Sequence, residues 1–342
     1  MRKKIWRSVV CLMMVALLLV GCGSAGSGEE ASDEKYPEMK LLLSTTVSEQ
    51  SNATLVAKMF AEEIDKATDG NIEVAVYSSD QLSGGNMSKG VEMLTQGAID
   101  CAFEPVDVMA VLDNRLYALS LPWIFDSYEE AEECLNGEGG EFIRSCLEKK
   151  DLETLGFIHN GFRQLTNSSH EVTKPEDLEN LKLRVPGGDV FMEFFSALGA
   201  DPVSMSFSEL FTALQQGTVD GQENGFDLIT SNKFYEVQDY VTNWNYSYGA
   251  FALVFSSDTW NELNEDTQQL LQETAEKVCK IGCENVVNNE EQQKQEIEDY
   301  GCQIVELTDE EIQAFQDKLG DYYKEMKTRY GEEAWEAFNV EY

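Results

Sequence analysis

One joint occurs twice in this chain and limits what it can fold into. Leu94-Thr95-Gln96-Gly97-Ala98-Ile99-Asp100 and Leu214-Gln215-Gln216-Gly217-Thr218-Val219-Asp220 share Leu, Gln, Gly and Asp in register. Each reads as a helix end, a glycine just past it and a strand. Around the first copy, residues 38–44 form an apolar strand. Residues 52–66 have helical periodicity, with Leu55, Met59, Phe60 and Ile64 near one face, and 71–77 alternate as a strand. Around the second, 181–185 is a strand, 189–198 an amphipathic helix closed by Gly199, and 207–216 a helix closed by Gly217. Thr173–Glu176, Ser206–Glu209 and Thr308–Glu311 have capping-box spacing. Alternation of this kind predicts an α/β fold of two lobes, with a cleft where the strands end.

The rest of the chain fits that frame. At 342 residues it exceeds one ordinary core. Residues 251–255 read as an apolar strand returning to the first lobe. Residues 266–300 contain no proline and only Gly282 as a weak breaker, which predicts one helix of about 50 Å bracing both lobes. A strand at 302–307 and further helices complete the chain. The expected lobes are 38–160 plus 250–289, and 161–249 plus 290–342.

The first 37 residues are read as targeting and tether. Arg2, Lys3, Lys4 and Arg7 precede an apolar run over 8–20, too short for a confident membrane span. Leu19-Val20-Gly21-Cys22 looks like a bacterial lipobox, with 1–21 as signal peptide and Cys22 as the lipidated residue. The stretch 22–37 is Gly/Ser-rich and acidic, suited to a flexible tether. The expected location is extracytoplasmic, lipid-anchored to the cell membrane. Losing the four leader cations takes the formal charge from −38 to −42. Such a chain repels nucleic acid, and holds an anion only where cations or N–H groups gather locally. Cys101, Cys134, Cys146, Cys279, Cys283 and Cys302 remain, as buried thiols or one or two disulfides. Their spacing fits no zinc site, and no metal or cofactor is expected.

The chemistry concentrates in residues 181–224. Arg184 alternates with Leu183 and Val185 in an apolar strand followed by a glycine-rich turn. A buried arginine needs a partner, and its planar fork suits a carboxylate. Arg163 lies where the chain enters the second lobe. Asn224 sits at a strand end, where its amide can donate to a carboxylate without adding charge. Phe207, in the first turn of a helix, could wall the cleft. No nucleophile elbow, phosphate loop or dinucleotide fingerprint is present, and His159 and His170 are the only imidazoles. An enzyme is not expected.

The ordered set Gln81-Leu82, Gly97-x-x-Asp100, Leu121-Pro122, Gly161-x-Arg163 with Thr166-Asn167, and Pro175–Leu178 continues with Leu181–Pro186, Leu198–Ala200, Phe207–Glu209, Ala213–Gln215 and Val219–Asn224. From about Lys40 onward, this set resembles the solute-binding proteins of TRAP (tripartite ATP-independent periplasmic) transporters, the DctP family. The resemblance implies a periplasmic-binding-protein-like fold closing on a small organic acid. In it Arg184 grips the carboxylate, Arg163 and Asn224 assist, and Phe207 packs on the ligand. The implied partners are that acid and the transporter's membrane subunits. A receptor for a sensor kinase, or a surface lipoprotein enzyme, is the alternative. Gly225 and Tyr246 depart from the proline and histidine the family often carries. The first-lobe strand end matches no member of known ligand. There Glu104 is expected to hydrogen-bond a hydroxyl or amino group of the solute.

Overall fold

The computed structural model describes residues 35–341. The expected signal segment, Cys22 and most of the tether lie outside the described residues. Among those described, one mixed sheet contains β1 (Met39–Thr45), β2 (Ile72–Tyr77), β3 (Cys101–Pro105), β4 (Leu152–Asn167), β5 (Lys182–Val185), β6 (Asp201–Ser204), β7 (Gly221–Asn224), β8 (Tyr240–Ser256) and β9 (Gln303–Glu306). The strand order is β2-β1-β3-β8-β4-β7-β5-β6, with β9 also on β8. The α/β class is as expected, with helices packed on the sheet.

Two strands are much longer than their apolar pattern indicates. β4 and β8 run antiparallel for 16 and 17 residues, where the sequence reads only a short strand at 251–255. β3 pairs with residues 251–255 of β8, whereas β7 pairs with 164–167 of β4 and β9 with 240–243 of β8. The sheet therefore has two halves threaded on one pair of long strands. Their register shifts at Thr154/Gly156, His159/Gly161 and Arg163/Leu165. Irregularities of this sort re-aim side chains, and the last two fall where pairing passes from one half to the other.

The repeated joint is a real structural repeat. Gly97 and Gly217 both take left-handed backbone, with φ of +68° and +65°. Asp100 then binds Leu42 from both ends: its amide donates to the Leu42 carbonyl (3.2 Å), and its Oδ2 accepts from the Leu42 amide (2.7 Å). Asp220 does the same to Lys182, at 2.8 and 2.9 Å. The shared aspartate thus clamps the neighbouring parallel strand in each half. One boundary needs correction: 218–220 is not a strand, because Asp220 is spent on that clamp and β7 begins at Gly221. A Cβ at Gly221 would sit 2.2 Å from the Thr166 carbonyl, so only glycine lets the strands approach.

The long helix spans Glu265–Tyr300, one residue earlier than expected. It packs on the helix Asn52–Ala67 and on β4 in one half, and on the helix Phe226–Ser231 in the other. A Cβ at Gly282 would meet Ile158 and Val56 at 2.8 and 3.0 Å, so this glycine serves close packing inside a continuous helix. The C-terminal helices also touch both halves. Tyr322 donates to the Val190 carbonyl and Tyr323 to that of Pro122, at 2.7 and 2.9 Å.

Of the three capping boxes, Thr308–Glu311 forms as read. The second is displaced: Asp177, not Glu176, accepts from the Thr173 and Lys174 amides. Ser206 makes no side-chain cap. Its neighbour Ser208 instead donates to the Gly85 carbonyl at 2.8 Å. All six described cysteines are free thiols. No helix among the described residues is long and apolar enough to cross a membrane.

Candidate functional site

A small cleft lies where the halves of the sheet meet. It is lined by Thr46 and Val47 just beyond β1, by Pro105, Asp107 and Val108 at the end of β3, and by Asn160 and Arg163 on β4. Arg184 and Pro186 reach it from β5, Asn224 from β7 and Phe251 from β8. Met87, Phe207 and Leu228 close it from three helices. These are mainly strand ends, where an α/β sheet presents backbone and side chains to a ligand. The cavity is about 20 Å³, room for about one water. A ligand enters only if the walls separate first.

The two arginines expected at the site are both there and both buried, at 3% and 1% exposure for Arg163 and Arg184. Arg163 has a carboxylate partner within the protein. Its Nε bonds Glu223 Oε2, and its Nη2 donates to Glu223 Oε1 at 2.8 Å and to the Glu223 carbonyl at 3.2 Å. Tyr246 adds a hydrogen bond to Glu223 Oε2 at 2.7 Å. Burial works against the Arg163 charge, but Glu223 outweighs it and the pKa rises. Tyr246 thus completes a buried ion-pair network.

Arg184 has no such partner. Its Nε donates to the Met205 carbonyl at 2.9 Å, and its guanidinium lies 5.7 Å from the Phe207 ring centre. Nη2 is buried with no hydrogen-bond partner, and Arg184 makes no ion pair among the described residues. Burial and the Arg163 charge pull its pKa down to about 10, with Glu223 and Asp107 opposing. A buried cation with an empty donor is costly unless something anionic arrives. The expected partner is therefore not supplied by the protein.

Asn224 is 2% exposed, with Oδ1 accepting from Arg163 Nη2 at 3.4 Å and Nδ2 donating to Gln222. It borders the cleft as expected, but its amide is already committed to neighbours. Phe207 walls the cleft beside Arg184, packed edge-on against Phe234. Glu104 is not among the lining side chains. It is 3% exposed and accepts from Thr46 Oγ1 at 2.8 Å. The end of β3 turns Pro105 and Asp107 to the cleft instead. Burial, then nearby Asp80, pushes the Glu104 carboxyl well above its usual range. Burial likewise lifts Asp80 to about 6, against a hydrogen bond from Thr46.

Asp107, Glu223, Asn160 and Thr46 were not singled out by sequence reading. Asp107 stands in the short helical turn Val106–Met109, two residues past β3, so following the strand to its end stops just short of it. Its Oδ2 lies 3.9 Å from Arg163 Nη1, beyond hydrogen-bond reach, and burial raises its pKa against the pull of Arg163. Glu223 is in the run Asp220–Asn224, where its pairing role has no sequence signal of its own.

Residues 43–329 match the model of the DctP family, described as bacterial extracellular solute-binding protein, family 7. A solute-binding protein of Roseobacter denitrificans is 36% identical over 70% of this chain and 72% of its own length. The C4-dicarboxylate-binding protein DctB of Bacillus subtilis is 29% identical over 85% and 83%. Among solved structures, the sugar acid binding protein DctPAm of Advenella mimigardefordensis, in complex with galactonate, superposes with a TM-score of 0.85. It is 29% identical, and the match covers 89% of this chain and 97% of that one. The latter two are named for different ligands, a C4-dicarboxylate and galactonate, and the solved structure shares the fold built here. The chain belongs to family 7 of the bacterial extracellular solute-binding proteins, the DctP family.

Proposed function

We propose that this protein is the extracytoplasmic receptor of a TRAP transporter, capturing a small organic acid anion and delivering it to the membrane permease. One observation carries the reading: Arg184 is buried at the cleft with Nη2 unpartnered. A ligand carboxylate supplies the missing acceptor and the missing charge. Arg163, held by Glu223, gives the site its second cation without competing for the ligand. Phe207 covers one face of the bound acid. The similarity to binding proteins for C4-dicarboxylates and for galactonate supports a carboxylate as the common element.

Capture is a hinge closure. The lobes, taken as 38–160 plus 250–289 and 161–249 plus 290–342, separate to admit the acid and then exclude water around the ion pair. Contacts across the cleft hold the closed form. Asp227 accepts from the Asn52 amide at 3.2 and 3.1 Å, capping the helix Asn52–Ala67 from the other half. Ser208 also crosses it, donating its hydroxyl to the Gly85 carbonyl at 2.8 Å. Cys22 carries the lipid that keeps the receptor at the membrane. Its Cys22→Ser variant should move from the membrane fraction to the medium or periplasm.

The test is a thermal-shift screen of organic acids. A true ligand at about 100 times its Kd adds about 2.7 kcal/mol of stability, a clear rise in Tm. If no small acid moves Tm in a panel spanning mono-, di- and sugar acids, the receptor reading is wrong.

A further inference from the structure

Charges and apolar surface are distributed unevenly around this cleft. On the second-half wall there are two cations, but one is already neutralised: Arg163 is bound through Nε and Nη2 to Glu223, and its Nη1 faces Asp107 at 3.9 Å. Arg184 can pair one carboxylate. The opposite wall carries carboxyl groups instead. Asp107 lines the cleft, and its ion pair with Arg163 is long, at 3.9 Å. Behind Thr46 stand Glu104 and Asp80, both reached by the Thr46 hydroxyl, at 2.8 and 3.4 Å. Much of the remaining lining is apolar: Val47, Met87, Val108, Leu228 and Phe251.

A second carboxylate would be buried facing Asp107, with no cation that is not already neutralised by Glu223. A chain of hydroxyl groups would be buried against aliphatic and aromatic carbon, with few partners. A donor group close to the first carboxylate would instead meet Asp107, which lines the same small cavity as Arg184. We infer that the solute is a compact monocarboxylate with one hydrogen-bond donor, a hydroxyl or an ammonium, beside its carboxylate and an aliphatic remainder, and that the receptor rejects dicarboxylates. This rests on Arg184 being the carboxylate site. It makes Asp107 the residue that selects among acids.

The experiment is titration calorimetry on the full exported protein with 2-hydroxyisovalerate, valine, isovalerate, succinate and galactonate. Either the hydroxy acid or the amino acid should bind at least about tenfold tighter than isovalerate, as a hydrogen bond to a charged group implies. The better of the two names the donor. It should also exceed succinate by about a hundredfold or more, given the cost of like charges brought together, and galactonate by a similar margin, because its hydroxyl chain is buried with few partners. Asp107→Asn should cut the advantage over isovalerate to about threefold or less and narrow the gap to succinate, with melting curves verifying the fold. Succinate or galactonate binding within about tenfold of the best monocarboxylate overturns the inference and leaves Arg184 as the carboxylate site. Equal binding of isovalerate, or an unchanged preference in Asp107→Asn, overturns the role of Asp107. Silence of every acid, in a protein that melts cooperatively, overturns the receptor reading along with it.

Discussion

Arg163 and Arg184 are almost equally buried and line one cleft, yet only Arg163 is paired with a carboxylate of the protein. Arg163 meets a carboxylate, a backbone carbonyl and an amide oxygen. Arg184 meets one backbone carbonyl and an aromatic ring, with Nη2 buried and unpartnered. The difference separates structure from function within a single pair of residues. A paired buried arginine holds the fold together; an unpaired one is held ready for something that is not part of the chain. Burial alone does not tell them apart, whereas the hydrogen-bond accounting does.

That contrast can be broken by substitution. The largest effect expected is from Arg163→Met, which strands Glu223 in the core and should cost about 3–5 kcal/mol of folding stability. Urea denaturation reads it directly. The double variant Arg163→Met/Glu223→Met should recover much of the loss, because removing both charges leaves nothing unpaired. Arg184→Met should behave in the opposite way. Apo stability should stay within about 1 kcal/mol of wild type or rise, while affinity for the acid falls by about 2–5 kcal/mol. Equal destabilisation by the two single variants would erase the distinction drawn here.

Smaller changes sharpen it. Tyr246→Phe removes one donor from Glu223 and leaves the Arg163 contacts. The expected cost is about 1–3 kcal/mol of stability, with little effect on ligand affinity. The pH dependence supplies the smallest signal. Burial raises the Asp80 and Asp227 carboxyls from an ordinary 3.8 to about 6. The folded chain therefore holds protons that the unfolded chain has released between about pH 4 and 6, and the native state gains as the pH falls. Tm measured without ligand should rise from pH 7 to pH 5. Asp227→Asn should flatten that rise, and a Tm that drops over the same interval would contradict the assignment.

Much of this was legible in residues. The Leu-x-Gln-Gly-x-x-Asp joint announced two α/β halves, and its aspartates turn out to clamp strands in the same way. Arg184 was readable because a charge amid Leu183 and Val185 breaks an apolar strand. The length of β4 was not readable. Arg163, Gln164, Thr166 and Asn167 look like loop, because their polarity hides a buried strand. Gln164 bonds the Trp244 amide, and Thr166 bonds Gln222 and Gln238. Such long-range pairs leave no local pattern. Asp107 escaped for a similar reason: the turn that swings it into the cleft follows the strand end, while Glu104 within the strand is buried behind Thr46. Pairing between Arg163 and Glu223 joins residues 60 positions apart and is visible only in three dimensions.

The most direct test is titration of the acid giving the largest thermal shift into wild type and Arg184→Met, with apo melting curves for both. The account predicts unchanged or higher apo Tm for the variant and an affinity at least about thirtyfold weaker. Wild-type affinity in Arg184→Met would show that the unpaired guanidinium is not where the acid binds.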